Sequence, residues 1–190
     1  MLVRHRALLV AVVVAASQIG CGDLTSIRAT FSNLEATRTV YAMNGTAITL
    51  PSAIAIRSSQ AVTINENFLF DVAFDIDSTG MVQVYTQARM ASQLVATHRV
   101  GLRVSDSSFA QVIKAPTSGY VYDSVAALPL GKTLLVDVFE QSCGGSFLGV
   151  NVRAKIAIDS VRLATRSIYL RVLSNPNCGF RSLVPGEPKD

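Results

Sequence analysis

Asn67-Phe-Leu-Phe-Asp-Val-Ala-Phe-Asp-Ile-Asp77-Ser-Thr-Gly-Met-Val-Gln-Val-Tyr-Thr86 is the stretch that decides the fold. Phe68, Phe70, Val72, Phe74 and Ile76 recur at every second position, while Leu69, Asp71, Ala73, Asp75 and Asp77 take the places between. Successive side chains of a strand point to opposite faces, so a period of two reads as a half-buried β-strand with three carboxylates outward. Ser78-Thr79-Gly80 is a turn signal, after which Val82, Val84 and Thr86 resume the inward face. The stretch is therefore predicted to be a β-hairpin.

The same period returns later. Val152, Ala154, Ile156 and Ile158 alternate with Asn151, Arg153, Lys155 and Asp159. A polar break over Arg162 to Arg166 follows, and Ile168, Leu170 and Val172 repeat the pattern opposite Tyr169 and Arg171, giving a second hairpin. Val100 to Val104 alternates, Phe109 to Ile113 is short and apolar, and Leu134 to Phe139 is apolar on both faces, as for a central strand. Val40 to Met43, then Asn44-Gly45, then Thr46 to Leu50 carries the two-residue hairpin signal; the formal glycosylation sequon Asn44-Gly45-Thr46 is read as that turn. Helical spacing is confined to Ala88–Thr97 and Ser124–Leu128, one or two turns each. Many short strands without a β-α-β rhythm predict an all-β fold, an antiparallel β-sandwich, with a partly open small β-barrel as the alternative.

The N-terminus has a different character. Arg4 and Arg6 form a cationic start, Ala7 to Ala16 contains no polar residue, and small residues follow, which is the layout of a secretory signal. Ten apolar residues are about half of the roughly 20 a membrane-spanning helix needs. Ser17-Gln18-Ile19-Gly20-Cys21-Gly22 resembles the lipobox of bacterial lipoproteins, with Gly20 and Cys21 in pattern and Gln18 and Ile19 off it. The resemblance implies covalent lipid on Cys21, which becomes the new N-terminus; Val14-Ala15-Ala16 offers ordinary cleavage and plain secretion as the alternative. The expected organisation is a signal over 1–20, a tether over 21–39, one β domain over 40–184 and a flexible tail over 185–190. With Cys21 lipidated, Cys143 and Cys178 remain as a pair in an oxidising compartment and are expected to form a disulfide.

Composition excludes more than it assigns. Loss of Arg4 and Arg6 with the signal takes the net charge from +4 to about +2, and the remaining basic residues are scattered singly, so no nucleic-acid partner is expected. Gly131-Lys132-Thr133 ends like a phosphate loop, but Ala126 stands where the pattern needs its first glycine and an apolar strand follows. Gly144-Gly145-Ser146-Phe147-Leu148 misses the nucleophile elbow at Leu148. His98 is the single histidine left after signal removal, so a triad or a histidine metal site has little to recruit. Asp75 and Asp77, with Asp71 nearby, partly mimic an oxygen-rich calcium loop and are the weak metal candidate, although Thr86 stands where such a loop needs glutamate. The same carboxylates suit glycoside hydrolysis on paper, but the chain has no tryptophan for a sugar platform.

Phe70 to Asp77, Ala115 to Tyr120, Ala154 to Val161 and Asn177 to Leu183 together resemble uncharacterised bacterial envelope lipoproteins. Phe70 to Phe74 followed by Ala154-Lys155-Ile156 is more faintly similar to haemophore-type haem-binding lipoproteins. That second resemblance implies haem held by histidine pairs, for which Met81 or Met90 would have to stand in beside His98. The expected function is thus a non-enzymatic envelope lipoprotein displaying a β-sandwich. It is membrane-anchored through its lipid, carries no cofactor, and binds an envelope protein or small ligand, with Tyr85, Tyr120, Tyr122 and Tyr169 as candidate contacts; the alternative is a small-ligand or haem carrier.

Overall fold

A computed structural model describes residues 29–64, 69–90, 99–146 and 148–188. Cys21, the signal, Phe68, His98, Phe147 and all of the Ala88–Thr97 segment beyond Met90 lie outside the described residues. Among these residues are eleven strands and one α-helical turn: β1 (Leu34–Tyr41), β2 (Ala53–Ala55), β3 (Gln60–Val62), β4 (Val72–Ile76), β5 (Val82–Thr86), α1 (Gln87–Met90), β6 (Val100–Ser105), β7 (Val121–Tyr122), β8 (Val125–Leu128), β9 (Thr133–Phe139), β10 (Asn151–Arg162) and β11 (Ser167–Asn175). They form two antiparallel sheets, a large one in the order β1-β11-β10-β9-β6-β7 and a small one in the order β3-β2-β4-β5-β8. The architecture is a sandwich, and no ladder closes it into a barrel among the described residues.

Alternation explains the interior. Val72, Phe74 and Ile76 of β4 and Val82 and Val84 of β5 face Leu134, Val136 and Val138 of β9, Val152, Ala154 and Ile156 of β10, and Ile168, Leu170 and Val172 of β11. Both predicted hairpins pair as expected, Phe74 opposite Val84 and Ile156 opposite Val172. The second ladder slips between Ile158 and Ser160, which sets Asp159 in a bulge.

Several expectations change. The first hairpin strand spans five residues, not eleven, because the chain bends at Asp71. That bend turns Phe70 away from the interior and into a satellite cluster with Ala53 and Ala73 on the outer face of the small sheet. Asp71 and Asp75 are buried rather than solvated, as is Lys155 on β10. Asn44-Gly45 does turn, with Gly45 in the left-handed region at φ 78°, but no hairpin forms around it. The chain leaves the large sheet there, and Met43 N–H donates to Phe74 O of the small one. Ser124–Leu128 supplies strand β8 instead of a helix, and Phe109–Ile113 is a turn-rich loop instead of a strand. β1 starts at Leu34, so residues 34–39 belong to the sheet and not to the tether; Asn33 pairs with Gly186, which ties down part of the expected tail.

The outer face of the large sheet carries a third layer. Phe109, Val112 and Ala115 from the β6–β7 connection, with Leu183 from the tail, cover Leu135, Ala157 and Leu173. Lys155 reaches into this layer, where its ammonium donates to Phe109 O at 2.7 Å and Val112 O at 2.8 Å and lies 4.4 Å from the Phe109 ring centre. Burial pushes its pKa below the ordinary lysine value. Cys143, at the end of a short 3-10 turn (Gln141–Cys143), is joined by a disulfide to Cys178 in the tail.

Two outcomes follow from these ties. Arg166→Met strips a donor from buried Asp75 and from the carbonyls of Asn44 and Ile76, and is expected to cost about 3 kcal/mol in urea denaturation. The double replacement Cys143→Ala/Cys178→Ala opens a loop spanning 35 residues and is expected to lower stability by about 3–4 kcal/mol in the same assay.

Candidate functional site

The densest polar cluster lies on the outer face of the large sheet, where β7, β6, β9 and β10 run side by side. Register places Tyr122 opposite Gly101, Gly101 opposite Asp137, and Asp137 opposite Arg153, so one cross-strand row gathers the groups. Asp137 is 3 % exposed. It accepts a hydrogen bond from Tyr122 OH at 2.8 Å and another from the Asn151 side-chain amide. Arg153 Nε stands 2.9 Å from its other oxygen, near enough to pair as charges but not aligned for a hydrogen bond. The Arg153 guanidinium also donates to the carbonyls of Gly179 and Phe180, which fastens the tail to the sheet. Arg99 stacks over the Tyr122 ring at 4.8 Å and reaches Asp123 at 3.8 Å.

Gly101 makes the cluster possible. A Cβ there would come within 2.9 Å of both Tyr120 Cβ and the Tyr122 ring, so only glycine lets the two tyrosines lie against β6. Burial, the hydrogen bond to Asp137 and that carboxylate's charge push the Tyr122 hydroxyl up to about 12. Burial first, then the Asp137 charge, raises Tyr120 as well, and its buried hydroxyl has no hydrogen-bond partner among the described residues. Phenols held protonated are donors and poor bases, and a carboxylate engaged by three protein groups is held in one orientation. The arrangement fixes the end of the sheet, with Tyr120 OH buried inside it and the Arg99 guanidinium at its surface.

The sequence-derived candidates scatter. Tyr120 and Tyr122 share this cluster, whereas Tyr85 lies on the small sheet and Tyr169 packs under Arg162 on β10. Asp75 accepts from Asn44 and from Arg166 Nη2 at 3.1 Å. Asp77 caps its own turn, taking the Thr79 amide and hydroxyl, the Met81 amide and the Gln83 side chain, and these bonds hold it at about 2, well below an ordinary aspartate. Both carboxylates thus face protein donors, and no group of three or more His, Cys, Asp or Glu gathers among the described residues. Gly131-Lys132 is the β8–β9 turn, where Lys132 pairs with Asp106. Ser146 Oγ donates to Cys178 O beside the disulfide. Met81 sits at the β4–β5 turn, and Met90 packs against the Phe70 cluster.

Asp137 and Gly101 escaped the sequence reading. Their signals were present: one carboxylate in the apolar run Leu134–Phe139, and one glycine inside the alternation Val100–Val104. Two open grooves lie on the surface of the described residues. One of about 430 Å³ is lined by Phe31, Leu34, Arg57, Ser59 and Pro176, and one of about 540 Å³ runs between β6 and β8 past Val104, Val121 and Val125. No helix among the described residues is long and apolar enough to cross a membrane. Comparison of the chain with protein-family models, curated proteins and solved structures found no match.

Raising the pH tests the cluster. Between pH 10 and 12 the unfolded chain loses the Tyr122 proton while the folded chain keeps it, so the folded state binds more protons and stability falls as pH rises through that window. Phenolate absorbance at pH 11 is expected to show Tyr120 and Tyr122 still protonated. Tyr122→Phe is expected to remove the titration step near 12 and to lessen the alkaline loss of stability.

Proposed function

We propose that this protein is a lipid-anchored protein of the bacterial envelope whose β-sandwich serves a non-enzymatic binding or structural role. The observation that carries the reading is the Cys143–Cys178 disulfide. Structural disulfides persist in oxidising compartments, and this one leaves Cys21 as the single remaining cysteine, directly after a signal-like segment. Lipid on that thiol accounts for the third cysteine without a free reactive group. The Asp137 cluster supports a non-enzymatic role: its phenols are held protonated and its carboxylate is held by Tyr122, Asn151 and Arg153, which suits a structural tie more than proton transfer.

The alternative, carriage of haem or another small ligand, calls for a deep apolar pocket. Between the sheets Phe74, Ile156 and Leu170 are fully buried, and the two grooves described above are open to the surface.

Intact mass of the protein from membrane and soluble fractions of a bacterial host, with and without reduction, tests it. The expected species begins at Cys21, carries a diacylglycerol-plus-acyl increment and gains two hydrogens on reduction. An unmodified soluble chain with a free Cys21 thiol would overturn the anchor, and a bound ligand mass released on denaturation would favour the carrier.

A further inference from the structure

The groove lined by Phe31, Leu34 and Arg57 is the open mouth of the sandwich at the end where the chain enters it. Leu34 begins β1, Ser174 is its register partner on β11, and Arg57 and Ser59 belong to the β2–β3 turn of the opposite sheet. Phe31 is 55 % exposed and Leu34 is 59 % exposed. Their exposure is not that of a loose terminus. Asn177, itself buried, accepts the backbone N–H groups of Thr30 and Phe31 at 2.9 Å each, and its amide donates to Phe31 O at 2.7 Å. Below it, Ser59 Oγ and Ser174 Oγ are bonded at 2.7 Å, and Arg38 Nε donates to Ser59 O. The entering segment is clamped to the body while two large apolar side chains are held outward.

We propose that this mouth docks on the lipid bilayer that holds Cys21, with Phe31 and Leu34 entering the interface and Arg57 at the headgroups. The inference rests on the lipid-anchor reading and deepens it. Phe31 lies ten positions after Cys21, a span of at most about 35 Å fully extended, so the anchor keeps this end of the domain near the membrane. A short tether gives an effective concentration in roughly the millimolar range, at which even weak apolar contact is populated. Arg57 shares its charge with Glu140 at 3.7 Å yet stays partly exposed at the rim, where a guanidinium above apolar side chains meets phosphate. Apolarity alone does not single out this place: Ile48 is 82 % exposed, but it lies beyond the far end of β1, about 24 Å along the strand. Position relative to Cys21 distinguishes the two.

The test uses the full chain purified from bacterial membranes and placed in vesicles of phosphatidylethanolamine with a minority of phosphatidylglycerol. Nitroxide labels are attached at Leu34→Cys and, separately, Ile48→Cys, and collision with oxygen is compared with collision with a water-soluble nickel chelate. The expected result is a label at 34 that favours oxygen, a label at 48 that favours nickel, and a shift of the first toward the aqueous value when Phe31→Ser is added. A label at 34 as aqueous as that at 48, on protein whose mass shows lipid at Cys21, would overturn the docking and leave the anchor standing. Mass showing an unmodified Cys21 would overturn both. Spin–spin broadening at 34 that grows with concentration in the unlipidated Cys21→Ser chain would assign the mouth to a second copy instead and overturn the bilayer proposal.

Discussion

Asp75 is the point on which the mutual placement of the two sheets depends. It stands on the outer face of β4 in the small sheet, buried, and its partners come from the other sheet: Arg166 from the β10–β11 turn and Asn44 from the segment that leaves β1. Apolar burial supplies most of the free energy of a sandwich, but it is non-directional and tolerates sliding of one face over another. A buried carboxylate does not tolerate sliding, because separation from its cation leaves an uncompensated charge. The same guanidinium donates to the carbonyls of Asn44 and Ile76, so three segments are fixed by one side chain. At the other end, Arg38 and the Ser59–Ser174 pair perform the same task with neutral acceptors. The sheets are thus pinned at both ends of β1, with the apolar interior between the pins.

The large sheet has a second demand that the small one largely escapes. Its outer face carries Leu135, Ala157 and Leu173, which need cover, and the cover comes from segments without strand structure. Loops over apolar surface leave carbonyls to be satisfied. Lys155 answers that need by donating to two of them, at the cost of a buried ammonium whose pKa falls. The tail is held by Arg153 through the carbonyls of Gly179 and Phe180, and by the disulfide at Cys178. Arg153 and Lys155 are alternate residues of one strand, so β10 organises the whole outer layer from a single face.

Those two residues also show where sequence reading stops. Val152, Ala154, Ile156 and Ile158 were legible as an inward row because apolar side chains in alternation have one solution. Asn151, Arg153 and Lys155 between them read as a solvated row, since a polar residue looks the same in sequence whether it faces water or a partner far along the chain. Lys155 is bonded to residues more than 40 positions away, and Asp75 to a residue 91 away. Local signals failed for a related reason. Asn44-Gly45 made its turn, but the chain was claimed by Phe74 of the other sheet before a local hairpin closed. Val125–Leu128 is four residues of valine, alanine and leucine, too short for periodicity to separate strand from helix, and pairing with β5 settled it. Within the candidate cluster the tyrosines were legible as types and Asp137 was not, because its partners are set by register across four strands.

Register also explains why so much chemistry collects at one end of the molecule. Tyr122, Gly101, Asp137, Arg153 and Asn175 form one cross-strand row, and Leu34 and Ser174 lie in the row beside it. Chain entry, the disulfide, the tail clamp and the tyrosine cluster therefore share an end, because antiparallel pairing brings the start of β1 and β10 level with the finish of β9 and β11. The opposite end holds the turns at Asp77–Gly80, Pro129–Lys132 and Leu163–Arg166. If the entry end lies on a bilayer, Tyr122 and Arg99 sit at headgroup height, where amphipathic rings and guanidinium groups are at home. The surface left for any soluble partner is then the far end and the exposed flanks of the small sheet, so the register that builds the sandwich also determines which of its faces remain available.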